Sequence, residues 1–171
     1  PGAPNIDTMM AWLGSVKLFS GGRDALPEAD PVGLNDPRVH DAVLPSWNGV
    51  FTARALAKMY GALANGGVVD GRPFLQPATV AEIAVMRPNS AIDYVIGASP
   101  HHWLGYHRAM LLTGATRRGF GHFGVGGSGG LAFPGRGLSI GFVSNRMGNR
   151  LTTIGDLRLP TFATLATRAT R

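Results

Sequence analysis

Five histidines and one glycine-rich stretch hold most of the chemistry this 171-residue sequence could perform. His122 stands in Phe120-Gly-His-Phe-Gly-Val-Gly-Gly127, at the end of an apolar run that reads as a strand. Flanking glycines let another chain or a ligand approach the backbone, so His122 is a candidate functional residue as well as a structural one. Gly124-Val-Gly-Gly-Ser-Gly129 has the G-x-G-x-x-G spacing of a dinucleotide fingerprint, which needs a helix behind it and an acid about 20 residues on. The residues after Gly129 read as a strand and a hairpin instead, and the next acid is Asp156. Gly126-Gly-Ser-Gly-Gly130 matches the nucleophile elbow G-x-S-x-G, in which the histidine comes after the serine. His40, His101, His102, His107 and His122 all precede Ser128, which therefore reads as a turn serine. His101 and His102 are neighbours and point to opposite sides of an extended segment. His107 has no carboxylate at ligand spacing. These three read as surface or interface histidines, and no metal site is expected.

The elements that must position His122 follow from punctuation and periodicity. Ile6 to Leu18 reads as a short helix behind Asp7, and residues 23–48 read as irregular because Pro27, Pro31, Pro37 and Pro45 each bias the preceding residue away from helix. The strongest helix spans Ala53 to Asn65. Thr52 caps it, and Ala53, Leu56, Ala57, Tyr60, Leu63 and Ala64 form one apolar stripe. Gly61 falls on the other face, and Gly66-Gly67 stop the helix. Val68-Val69 and Asp70-Gly71 suggest a small hairpin, and Pro77 opens a helix to about Met86. Beyond residue 100 the pattern changes to strands: Trp103–Arg108, Arg117–Phe123, Gly130–Phe133 and Leu138–Asn145. Residues 134–137 form a tight joint between the last two, and a final helix runs over about 159–168. Helices, then an antiparallel meander, then one helix is α+β order: an antiparallel sheet flanked by helices.

Composition narrows the class. Glycine and proline number 25 and 12, which argues for many turns and against a coiled coil. There is no cysteine, so disulfides, thiolate zinc sites and a cysteine nucleophile are excluded. No run reaches the ~18 apolar residues of a membrane span, and no basic-then-apolar leader pattern is visible, which leaves the compartment open. The net charge of +6 is uneven: residues 1–85 carry 6 basic and 8 acidic side chains, residues 86–171 carry 10 and 2. The arginines are scattered singly apart from Arg117-Arg118, without interleaved aromatics, so a nucleic-acid surface is not expected.

Thr52-Ala-Arg-Ala-Leu-Ala-Lys-Met-Tyr-Gly-Ala-Leu-Ala-Asn-Gly-Gly67 resembles the helix that follows the second catalytic motif of class C β-lactamases and their esterase relatives. His122-Phe-Gly124, the glycines after it and Leu131-Ala-Phe-Pro-Gly-Arg-Gly-Leu-Ser-Ile-Gly-Phe-Val-Ser-Asn145 resemble that family's third motif, Lys/His-x-Gly, and its hairpin. Asn35-Asp-Pro-Arg38 and Pro45-Ser-Trp-Asn-Gly49 resemble the linker of the esterase branch. The resemblance covers about residues 35–171.

The resemblance implies a serine hydrolase that cleaves esters, amides or β-lactams through an acyl-enzyme, with no metal or organic cofactor. A hydroxyl is a weak nucleophile and needs an adjacent base and oxyanion donors. His122 would be the polar first residue of the third motif, Gly124 would allow close substrate approach, and the Val125 N–H would be an oxyanion donor. Phe123, in the middle of the motif, offers no hydroxyl donor for a ring carboxylate and would favour neutral esters. The family's Ser-x-x-Lys and Tyr-x-Asn are absent. Ser15-Val-Lys17 is one residue short, Ser20 is followed three on by Arg23, and Tyr60, Tyr94 and Tyr106 are followed two on by Ala62, Ile96 and Arg108. The resemblance therefore implies one partial domain over 1–171, helical over 1–90 and with the sheet and final helix over 100–171. Its partners would be a small ester or amide substrate and the missing N-terminal part. The alternative from another class is a non-catalytic ligand- or peptide-binding module that uses the groove beside His122.

Overall fold

The structure is a computed structural model that describes residues 36–43, 45, 49–85, 91, 99, 101–124, 127–145 and 157–170. The chain packs as two compact units, 1–50 with 92–99, and 51–91 with 100–171. The expected helix over Ile6–Leu18 lies outside the described residues. In the first unit, helix α1 (Pro37–Asp41) occupies part of the segment expected to be irregular. Pro37 sits in the first turn, where its missing N–H costs nothing, and the Asp36 side chain accepts the Arg38 N–H at 2.8 Å. The Arg38 guanidinium, 2.9 Å away, holds the Asp36 carboxyl below its usual range.

The second unit begins with helix α2 (Ala53–Ala64), whose cap is Thr52 Oγ1 accepting the Ala55 N–H at 3.1 Å. The short hairpin β1 (Val68–Val69) and β2 (Arg72–Pro73) turns at Asp70 and Gly71, both with positive φ. Helix α3 (Pro77–Val85) comes next. Strands β3 (His107–Leu111), β4 (Gly114–Phe123), β5 (Gly129–Phe133) and β6 (Leu138–Phe142) then form one antiparallel sheet in chain order. A single 3-10 turn, Pro134–Arg136, joins β5 to β6, and helix α4 (Arg158–Ala169) closes the unit. The expected class, an antiparallel sheet with helices packed on it, is what the described residues form.

Three boundaries move, the simplest being β6, which ends at Phe142 rather than Asn145. The expected strand Trp103–Arg108 is instead a tight turn, with paired backbone bonds of 2.7 and 2.9 Å between Trp103 and Tyr106, and the strand begins at His107. Leu104 and Gly105 adopt positive φ there, which a two-residue hairpin turn requires. β4 starts at Gly114 rather than Arg117, because the turn at 112–113 returns the chain directly from β3.

The sheet is covered on both faces. Leu131, Phe133, Leu138, Ile140 and Phe142 face α4, where Leu159 and Ala163 complete a core. Phe120 and Ala132 face α2, with Tyr60, Leu63 and Ala64, and Val80 and Ile83 of α3 join them. Fully burying a large apolar side chain stabilises by about 1.5–3 kcal/mol, so these two layers carry the unit. Toward α2, β5 and β6 carry small residues. A Cβ on Gly130 would lie 2.1 Å from the Tyr60 ring, and one on Gly141 would lie 2.4 Å from the Ala53 carbonyl oxygen. Gly61, expected on the outer face, looks onto Ser139 instead, and Ala62 is buried as well. Helix α2 packs on both β5 and β6, so its inner face is wider than one stripe.

Candidate functional site

His122 and Phe123 form the C-terminal end of β4, and Gly124 follows where the chain leaves the sheet. Register pairs His122 with Gly130 and Phe123 with Gly129. Beyond them a tight turn closes on itself: the Gly124 N–H donates to the Ser128 carbonyl and the Gly127 N–H to the Gly124 carbonyl, both at 2.9 Å. Among the described residues a Cβ on Gly124 would meet nothing nearer than 3.9 Å, so they leave this ledge open to an approaching molecule. Val125, the expected oxyanion donor, lies outside the described residues. Strand β5 stands where a dinucleotide site would need a helix. Ser128 Oγ accepts the Ser144 N–H at 3.0 Å, which ties the turn to the chain just past β6.

Alternation along β4 sends His122 and Phe123 to opposite faces. His122 keeps solvent exposure on the α2 side, beside Tyr60. Partial burial and the neighbouring His102 lower its pKa, so its ring is neutral near pH 7. Phe123 is half-buried against the α4-side core, its ring edge-on to His107 at 4.7 Å.

His107 is the residue that sequence reasoning placed wrongly. It was expected at the surface or an interface, and it is 6% exposed. The cause is the shifted start of β3, which sets His107 opposite Gly121 and inside the sheet. Its Nδ1 lies 2.9 Å from the Arg108 carbonyl oxygen, and its Nε2 accepts the Phe123 N–H at 3.3 Å. A carbonyl can only accept and an amide N–H can only donate, so these partners assign the ring proton to Nδ1. Burial pushes the His107 pKa down to about 4, opposed by the Arg108 carbonyl and helped by His122 and His102. The His102 and His122 rings stand 6.0 and 5.3 Å from it. Two buried nitrogens nearby in sequence, His101 Nδ1 and Arg108 Nε, have no hydrogen-bond partner among the described residues.

Tyr60 of α2 supports the same strand end from the other face. Its ring lies on Gly130, on the same face of the sheet as His122, which pairs with Gly130. Burial, with Tyr106 beside it, raises its pKa to about 12, so it stays a phenol. Tyr60, Tyr106 and Phe120 stack edge-to-face at 6.2 and 5.4 Å. The sequence did put Tyr60 on the apolar stripe of α2, but nothing in spacing alone ties it to His122.

The arrangement offers an open backbone ledge beside a neutral imidazole. Among the described residues no group of three or more His, Asp or Glu could hold a metal ion, and no helix is long and apolar enough to cross a membrane. A recess of about 630 Å³, lined by Arg118, Phe120, Arg136 and Thr170, lies toward the opposite end of β4.

No family model matches the chain. A curated relative, Esterase/beta-lactamase LipL of Mycobacterium tuberculosis, is 40% identical over 131 residues. That match takes in 75% of this chain and 30% of the relative. A solved structure of a family VIII carboxylesterase superposes with a TM-score of 0.57 at 31% identity, covering 70% of this chain and 32% of that one. A penicillin-binding protein homolog from Caulobacter crescentus gives a TM-score of 0.57 at 32% identity, covering 85% and 44%. The chain thus spans under half the length of each of these relatives.

Proposed function

With the matched part of the chain belonging to the serine β-lactamase- and penicillin-binding-protein-like hydrolase family, we propose that it supplies the substrate edge of an enzyme that cleaves carboxylic esters through an acyl-enzyme. The observation that carries this reading is the His122–Gly124 ledge, which ends a sheet strand, is left open above Gly124 by the described residues and is followed by a tight glycine turn. Esterase and carboxylesterase are also in the names of two of the relatives.

In this reading the domain over 1–171 is partial, and the nucleophile and base come from an N-terminal part with Ser-x-x-Lys and Tyr-x-Asn. The serine hydroxyl adds to the ester carbonyl, and the alcohol departs with a proton. Water then releases the acid. The Val125 N–H is a donor to the oxyanion, Gly124 admits the acyl group, and neutral His122 hydrogen-bonds beside it. A ring carboxylate is bound best by charge-assisted donors. Phe123 offers no hydroxyl and His122 no charge, so a neutral ester suits the ledge better than a β-lactam.

The test is hydrolysis of p-nitrophenyl butyrate and nitrocefin by the purified chain, alone and joined to the upstream segment of its own reading frame. The chain alone should stay at background. The joined protein should turn over the ester with the higher kcat/KM. Saturable turnover by the chain alone, lost in Ser128→Ala, would overturn the assignment of the nucleophile. An upstream frame without Ser-x-x-Lys and Tyr-x-Asn would favour the non-catalytic binding module.

A further inference from the structure

We infer that His107 is a positioning residue for the His122–Gly124 ledge, its imidazole standing in for a strand carbonyl that β3 does not provide. The inference rests on the reading of that ledge as the substrate edge. Among the described residues β3 is an edge strand, and it starts only at His107, because Trp103–Tyr106 closes on itself. With His107 opposite Gly121, the next β4 amide directed at β3 is that of Phe123, and the chain that would have met it has already turned away. An unsatisfied amide there would leave the strand end free to fray. The His107 Nε2 lone pair receives it instead at 3.3 Å, while Nδ1 donates to the Arg108 carbonyl of β3 itself. The ring therefore staples the last residues of β4 to the edge strand. Edge-to-face contacts with Phe123 and His122, at interplanar angles of 86° and 61°, fix the side chains on both sides of the ledge. A protonated ring has no lone pair for the Phe123 amide, so the bond requires the neutral form.

The experiment uses the whole chain, labelled with 15N and 13C, in NMR hydrogen exchange. Wild type should show the Nδ1–H tautomer of His107 and a protected Phe123 amide. In His107→Leu the Phe123 amide should exchange about tenfold faster or more, while the Leu131 and Ala132 amides keep their protection. His107→Gln, whose side-chain oxygen can accept the same amide, should restore most of the loss. A role confined to overall stability would change all amides together. Unchanged Phe123 exchange in His107→Leu, or a wild-type ring protonated on Nε2 alone, overturns the inference. If His107→Leu does not fold, the wild-type tautomer and the glutamine variant decide it, and loss of Phe123 protection in the latter overturns it. Ethyl butyrate added to the same samples separates the two readings. Shifts at His122 and Gly124 that vanish in His107→Leu and return in His107→Gln support positioning, and shifts that persist in His107→Leu overturn it. No shift in wild type, with Phe123 protected through His107, counts against the substrate edge and not against the staple.

Discussion

The two faces of the sheet are built on opposite plans. Toward α4 the strands present Leu131, Phe133, Leu138, Ile140 and Phe142, large side chains that interlock with Leu159 and Ala163. Toward α2, β5 and β6 present Gly130, Ala132, Ser139 and Gly141, so the helix backbone comes down close to the sheet and Ser139 Oγ donates to the Ala57 carbonyl at 2.9 Å. The first plan stabilises through buried area. The second gives up that area for proximity, which is what sets Tyr60 against Gly130, the partner of His122. His107 is the exception on the first face, a buried polar ring on the side of Phe123.

The contrast can be broken most severely from the α4 side. Phe133→Ala leaves a cavity in a layer where Phe133 is 1% exposed, and should cost about 3–5 kcal/mol in urea unfolding. A loss below about 1 kcal/mol would mean that this layer is not the main source of stability.

The buried histidine gives the next effect, roughly 3 kcal/mol. His107 titrates near 6.5 when unfolded and at about 4 when folded, so between those values the unfolded chain binds the proton that the folded chain refuses. Its contribution to stability is complete above pH 6.5 and is lost as pH falls toward 4. The titratable groups facing it are His102 and His122, both of which oppose its charge. Unfolding free energies measured from pH 7 to 4 should fall across that window in wild type and fall less in His107→Gln. Equal slopes would place the acid sensitivity elsewhere.

The smallest effect on stability, and the most local, comes from the α2 side. Gly130→Ala puts a methyl 2.1 Å from the Tyr60 ring, which must move, at about 1–3 kcal/mol. Tyrosine ultraviolet difference spectra and the His122 amide resonance should both change, while Leu159 and Ala163 in α4 keep theirs. An unmoved His122 amide would show that Tyr60 does not support the strand end.

Much of this was legible in the sequence because it is local. Thr52, the apolar period after it and Gly66-Gly67 specify α2 nearly to the residue. Residues 134–137 between two alternating runs specify the β5–β6 hairpin, and the glycines around His122 marked the ledge. Each of these signals is a backbone preference or a side-chain period within one element, and no distant residue was needed to read it. Pro37 misled, because a proline breaks a helix from within but fits its first turn, and only Asp36 as cap tells the two apart.

Where β3 begins was decided differently. Trp103–Arg108 and His107–Leu111 are both apolar enough to pair with β4, and one residue of register exchanges the faces. The tertiary structure settles it by folding Leu104-Gly105 into a turn and setting Trp103 Nε1 to donate to the Glu82 carbonyl at 3.0 Å, on the far helix α3. That choice buries His107 and brings its Nε2 to an amide sixteen residues away. Residue types and spacing determined the elements, the covered sheet and the candidate ledge. Which side chains hold that ledge depended on contacts between elements, because a hydrogen bond across the sheet leaves no period in the sequence of either strand.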